Sequence, residues 1–257
     1  MSQPVAYIHP DAKIGAHVTV SPFAYISGDV VIGDGTWIGP STTILDGARI
    51  GKNCQVFPGA VISAVPQDLK FAGEYTTTEI GDRTIIRECV TIHRGTTDKM
   101  KTVVGSDCLL MGYVHIAHDC IVGNHCIFAN YAALSGHCVV GDYAILEGQA
   151  GAGQFVHIGA HAFIGGTTAI RKNVPPFVKA AREPISYMGI NAIGLRRRGF
   201  SEEKINTIQD IYRVLFQKGV NISQALEIIK REFPESPERE QIIDFVLMSD
   251  RGIINRG

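Results

Sequence analysis

The sequence predicts a mainly β fold: a parallel β solenoid over residues 1–174, then a C-terminal α-helical domain over 175–257. Three patterns predict it. An aliphatic residue recurs at every sixth position from Ile8 to Ile170. A small residue follows most of these four positions later. The beat stops at Pro175-Pro176, after which apolar residues fall at helical spacing.

Stepping by six from Ile8 passes through Ile14, Val20, Ile26, Ile32, Ile38, Ile44, Ile50, Val56 and Ile62, and later through Val104, Leu110, Ile116 and Val122. Of the 28 positions reached, 23 are Ile, Val or Leu, and the charged ones are Asp68, Glu74 and Asp98. A period of six suits neither a helix nor a hairpin meander. It suits a short strand, a tight corner and another short strand, with three sides to a coil and about nine coils stacked on one aliphatic column. Glycine often follows the aliphatic (Gly15, Gly33, Gly105, Gly141), and the sequence reading gives it the corner dihedrals that other residues avoid. Residues 64–78 and 95–101 place polar side chains on the beat and read as loops ejected from the coil. Loops on a rigid scaffold commonly carry function, although a plain solvated loop has the same composition.

Beyond the prolines, three or four helices are expected. A short one spans about Met188 to Arg198. Ser201 caps the next, whose stripe is Ile205, Ile208, Tyr212 and Leu215 and which Gly219 stops. Another covers about Ser223 to Phe233, and the last begins at Ser236-Pro237.

The formal net charge is −1, which argues against nonspecific nucleic-acid binding. No run of 18 apolar residues occurs, and the first residues lack a signal-peptide pattern, so a cytoplasmic protein without stable membrane insertion is expected. Five of the six cysteines (Cys54, Cys108, Cys120, Cys126, Cys138) share the phase that Ala and Thr fill elsewhere, and no CxxC pair occurs. They read as small buried side chains.

The densest acid/base chemistry lies at His115-Ile116-Ala117-His118-Asp119. Residues one coil apart stack, which puts His118 near Gly136 and Asp119 near His137. A base, a carboxylate to orient it, a second histidine and a glycine N–H able to meet an oxyanion make a recognisable catalytic kit. The nine histidines lack the spacing of a three-histidine zinc site, so no metal is expected. The run Arg196-Arg197-Arg198 reads either as a solvated helix face or as an anion site.

The hexads resemble those of hexapeptide-repeat proteins, which implies a left-handed parallel β-helix. The segments QDLKFAGE (67–74), TIHRGT (91–96), HIAHDC (115–120), SGH (135–137) and GLRRRGF (194–200), in that order and followed by a helical tail, resemble more narrowly the UDP-N-acetylglucosamine O-acyltransferases of lipid A biosynthesis. The resemblance implies His118 as general base, Asp119 as its orienting partner and the Gly136 N–H as oxyanion donor. Gln67, Asp68, Lys70, His115, His137, Gln154, Asn191, Arg197 and Arg198 would bind substrate or meet the acyl carrier protein. Gly166 would be the acyl-chain ruler, its missing side chain admitting a long 3-hydroxyacyl group. No cofactor is implied, since the carrier's phosphopantetheine thioester is a substrate, and the family forms homotrimers with sites between subunits. Two positions depart from the family pattern: Gly153 stands where a histidine is common, with His157 as a possible substitute, and Ile193 stands where an acidic residue is common. The hexads alone leave open the N-acyltransferase of the same pathway, a CoA-dependent acetyltransferase or a noncatalytic trimeric scaffold. The first normally carries an extra N-terminal domain, whereas hexads here begin by Ile8.

Overall fold

The computed structural model describes residues 5–216 and 219–256. Two-residue strands repeat around a three-sided coil and form three sheets, parallel throughout the solenoid, with one antiparallel pair (Val178–Ala181 with Ser186–Ile190) at the end of the third. The first has nine strands, from Tyr7–Ile8 to Ala169–Ile170, in line with the expected nine coils. The second has eight, from Lys13–Ile14 to His157–Ile158. In the two-residue strands of the central coils the first residue faces out and the second, the hexad aliphatic, is buried. Ile26, Ile38, Ile62, Leu110 and Ile116 are wholly inaccessible, each worth roughly 1.5–3 kcal/mol of burial. The small position fills the remaining space. Its Thr and Cys side chains do the same work: Thr36 Oγ1 donates to Gly51 O (2.9 Å), and Cys108 Sγ donates to Gly123 O (3.2 Å). All six cysteines are free thiols, and the five at this phase are buried.

The two ejected loops are present. Ile62 pairs with Ile92, thirty residues on, and Ile92 with Ile116, twenty-four on, where regular neighbours such as Ile44 and Ile62 are eighteen apart.

The glycine reading is corrected by the backbone. The left-handed corner residue lies three positions after the aliphatic and is seldom glycine: His17, Tyr113, Asp119, His125, Tyr131 and His137 have φ between 56° and 65°. Glycine directly after the aliphatic serves close approach instead. A Cβ on Gly33 would stand 2.7 Å from the Gly51 carbonyl carbon, and one on Gly105 2.5 Å from Gly123 O.

The prolines do not end the ladder. Past them the third sheet gains Val178–Ala181, parallel to Phe163–Ile164, then Ser186–Ile190 and Asn255–Arg256. Ile164 pairs with Ala180, so this coil is two residues shorter than the regular coil of eighteen and the six-residue beat is lost although the coil continues. The expected helix from Met188 is accordingly shorter, because Met188 lies in a strand. The helices are α1 (Ala192–Arg197), α2 (Glu202–Leu215), α3 (Ile222–Glu232) and α4 (Pro237–Leu247). Ser201 and Ser236 cap α2 and α4 as expected. Asn221 begins α3 with a capping box to Gln224. Among the described residues no helix is long and apolar enough to cross a membrane.

Candidate active site

His118 and Asp119 lie on the corner between the first and second sheets, just after His115–Ile116. The hexad fixes Ile116 inward and the left-handed φ of Asp119 (58°) turns its side chain back toward His118. Asp119 Oδ2 accepts a hydrogen bond from His118 Nδ1 at 2.8 Å, and both residues are buried. The same oxygen accepts from Thr96 Oγ1 (2.6 Å), and Oδ1 accepts from the backbone N–H groups of Thr96 (3.0 Å) and Lys99 (3.1 Å). Burial pushes the Asp119 carboxyl up, but the hydrogen bonds from Thr96, His118 and Lys99 outweigh it and hold the group below the usual range. With Nδ1 committed as donor, Nε2 is the ring nitrogen left to take a proton, and it has no partner among the described residues.

Gly136 sits one coil above. Its Cα lies so close to the ring that an added Cβ would stand 2.6 Å from His118 Nε2. On the next corner, between the second and third sheets, N–H groups at this step of the hexad are capped by an Asp or Asn one coil later: Ala16 by Asp34, Ser106 by Asn124, Asn124 by Asp142. Above Gly136 that position is Gln154, and the Gly136 N–H has no acceptor among the described residues.

His137 faces His118 edge-on (5.0 Å between ring centroids), stacks on Phe155 (4.4 Å) and has Nδ1 3.0 Å from Asp98 Oδ2. His115, half-buried, has Nδ1 2.7 Å from Thr91 Oγ1, and burial, aided by His118, lowers its pKa. Atoms of His118, Asp119 and His137 lie within 4.8 Å of one another, a spacing a metal ion can bridge. Asp119, however, already spends both oxygens on four donors, which suits a proton-transfer dyad.

The other expected site residues spread out. Gln67 and Lys70 are exposed, Asp68 is half-buried, and Asp68 Oδ1 accepts from the Lys70 N–H (2.9 Å) in a turn of the long loop. No hydrogen bond joins these three to His118 among the described residues. Gln154 is exposed. Asn191 is buried with both amide atoms engaged: Oδ1 caps Gly194 N–H in α1, and Nδ2 donates to His161 O. The arginine run divides three ways. Arg196 pairs with Glu202, Arg197 is exposed, and Arg198 lies over the Tyr143 ring (5.2 Å) and donates to Tyr143 O. Gly166 occupies a different corner, between the third and first sheets, so one chain does not bring it to His118. Gly153 has open space, an added Cβ meeting only Ile170 O at 3.6 Å. His157 does not replace the imidazole missing there. It belongs to the second sheet, in a groove with Val139, Phe245 and Met248. Ile193 is exposed.

Sequence reasoning missed Thr96 and His93. Thr96 closes the motif TIHRGT, yet nothing in a polar loop names which hydroxyl turns inward. His93 follows an inward aliphatic and is 5% exposed, its ring edge-on to His115 (4.9 Å). Burial, with His115 and His118 nearby, pushes its pKa down to about 4.

A family model described as UDP N-acetylglucosamine O-acyltransferase, domain 2, matches residues 173–254, and one described as bacterial transferase hexapeptide (six repeats) matches 29–64 and 101–136. An acyl-[acyl-carrier-protein]–UDP-N-acetylglucosamine O-acyltransferase of Chlorobium phaeobacteroides is 62% identical over 241 residues, 93% of this chain and 91% of that protein. The protein of the same name from Aliivibrio fischeri is 46% identical over 252 residues, 98% and 96% of the two chains. A crystal structure of a UDP-N-acetylglucosamine acyltransferase from Bacteroides fragilis superimposes with a TM-score of 0.97 at 50% identity, covering 99% of this chain and 100% of that one. Identity at this level, over nearly the full length of both partners, places the chain in the UDP-N-acetylglucosamine O-acyltransferase family.

Proposed function

We propose that the chain transfers a (3R)-3-hydroxyacyl group from acyl carrier protein to the 3-hydroxyl of the glucosamine ring of UDP-N-acetylglucosamine, the first step of lipid A biosynthesis. The observation that carries this reading is an uncapped Gly136 N–H beside the Nε2 edge of a carboxylate-anchored His118. The sugar hydroxyl attacks the thioester carbonyl while Nε2 takes its proton. The Gly136 N–H meets the oxyanion that forms. Collapse breaks the carbon–sulfur bond, and the departing thiolate recovers the proton from the imidazolium. The ester forms with no cofactor beyond the carrier's own thioester.

His115 and His137 line the same cleft. Gln67, Asp68 and Lys70 bind sugar and phosphate from the long loop, with Gln154 at the rim. Arg197 is free to meet the nucleotide or the acidic carrier. Asn191 and Arg198 support that surface through α1 and the Tyr143 column. The acting form is a homotrimer in the cytoplasm. The outer columns Ile85, Leu109, Ile127 and Ile145 of the third sheet and Val103, Ile121 and Val139 of the second are apolar and half-exposed in one chain. A neighbouring solenoid would cover them and bring a second corner, carrying Gly166 as the acyl ruler, to the His118 corner. The test is transfer of radiolabelled acyl from acyl carrier protein to UDP-N-acetylglucosamine, with a product labile to mild alkali. Equal turnover by His118→Ala would sink the assignment of the base.

A further inference from the structure

Residues 95–101 stand outside the repeat, yet they supply three of the four hydrogen bonds to Asp119. The loop is closed on itself and tied down. Thr96 O accepts from Met100 N (2.8 Å), and Gly95 N donates to Thr77 O (3.2 Å). A Cβ on Gly95 would stand 2.6 Å from the Lys101 Cα. Glu74 Oε1 accepts from Thr97 N (3.2 Å), joining this loop to the longer one. Thr96 itself is 7% exposed and gives Asp119 two donors, its hydroxyl to Oδ2 and its N–H to Oδ1.

Two donors from one rigid residue, one to each oxygen, define the carboxylate plane. The hydroxyl also shares Oδ2 with the imidazole N–H, so it governs both where that oxygen sits and how much negative charge it shows to the ring. Building on the acyl-transfer reading above, we propose that Thr96 is a positioning residue: it sets the carboxylate plane of Asp119 and thereby the tautomer and orientation of His118. The groups that face this pair are His93 and His115 on the first sheet, His137 on the next corner, Glu74 of the long loop, and Asp98 and Lys99 of the short one. None of them replaces the Thr96 hydroxyl as a neutral donor to Oδ2.

Thr96→Val keeps the side-chain shape and removes the hydroxyl, and Thr96→Ser keeps the hydroxyl. The valine variant is expected to lose roughly 10-fold in kcat with the KM for the sugar nucleotide within about 2-fold. Serine restores the rate. Nitrogen-15 histidine NMR reads the dyad without turnover: the wild type shows His118 with the proton on Nδ1, and Thr96→Val shows a mixture of tautomers. Wild-type kcat and tautomer in Thr96→Val, or a serine variant as impaired as the valine one, would overturn the proposal. A wild-type chain with no transferase activity would overturn the functional reading instead, whatever the NMR shows of the Thr96–Asp119–His118 linkage.

Discussion

Gly136 lacks a side chain where the imidazole of His118 needs the room: a methyl group there would stand 2.5 Å from Cε1 and 2.6 Å from Nε2. Gly136→Ala therefore displaces the base from the oxyanion donor. Activity should fall on the order of 100-fold or more, the scale of losing one oxyanion contact. The melting temperature should change by only a few degrees, because the clash is with a side chain and not with the backbone of another coil. Steady-state rates and a thermal melt on the same preparation test this. Full activity would show that the imidazole does not work from this position.

The solenoid glycines should differ sharply in tolerance. Gly105→Ala places a methyl group against the Gly123 carbonyl and should cost roughly 1–3 kcal/mol. Gly153→Ala meets only ordinary contact and should be close to neutral. Denaturant midpoints of the two variants give the comparison, and equal losses would contradict the close-approach account.

Arg197 and Arg198 should separate although they are adjacent. Arg197→Ala raises KM for a substrate more than it lowers kcat, with stability unchanged, because the side chain is exposed. Arg198→Ala also lowers the melting temperature, since its guanidinium covers Tyr143 and donates to a backbone carbonyl. If neither substitution moves KM, neither arginine binds substrate.

Acid should weaken the fold through His93 and His161. Burial pushes both imidazoles down to about 4, helped at His93 by His115 and His118 and at His161 by Arg198. The unfolded chain takes up protons below its ordinary pKa of 6.5 while the folded chain does not. Their contribution to stability is therefore complete above pH 6.5, falls as the pH drops towards 4, and then levels. For His93, buried to 5% exposure, the loss is on the order of 3 kcal/mol at about 1.4 kcal/mol per pH unit. Urea midpoints at several pH values should decline less steeply in His93→Gln. An unaltered slope would remove His93 from the account.

The aliphatic beat made most of the solenoid legible, and both loops announced themselves as Asp68, Glu74 and Asp98 on aliphatic positions. Stacking by eighteen predicts Gly136 on His118 and His137 near Asp119, and both neighbours are found, the second at 4.0 Å. What escaped depended on length or direction and not on residue type. The coil after Ile158 is two residues short, so strand Val178–Ala181 falls out of phase and the continuation of the ladder past the prolines is hidden in the sequence. The αL corner was assigned to the wrong position because glycine is enriched for a different reason, contact between coils. Thr96 could not be singled out in a polar loop, since only the folded loop shows that its hydroxyl turns toward Asp119.

The two loops lengthen their coils by twelve and six residues, in each case a whole number of sides. An excursion of that size returns the chain to the stack with every later side chain pointing as before. Such a segment can be lengthened, shortened or exchanged by whole sides at one height without altering the packing above or below it. Selection can therefore rework substrate contacts and the support of the base in one loop while the aliphatic column stays fixed.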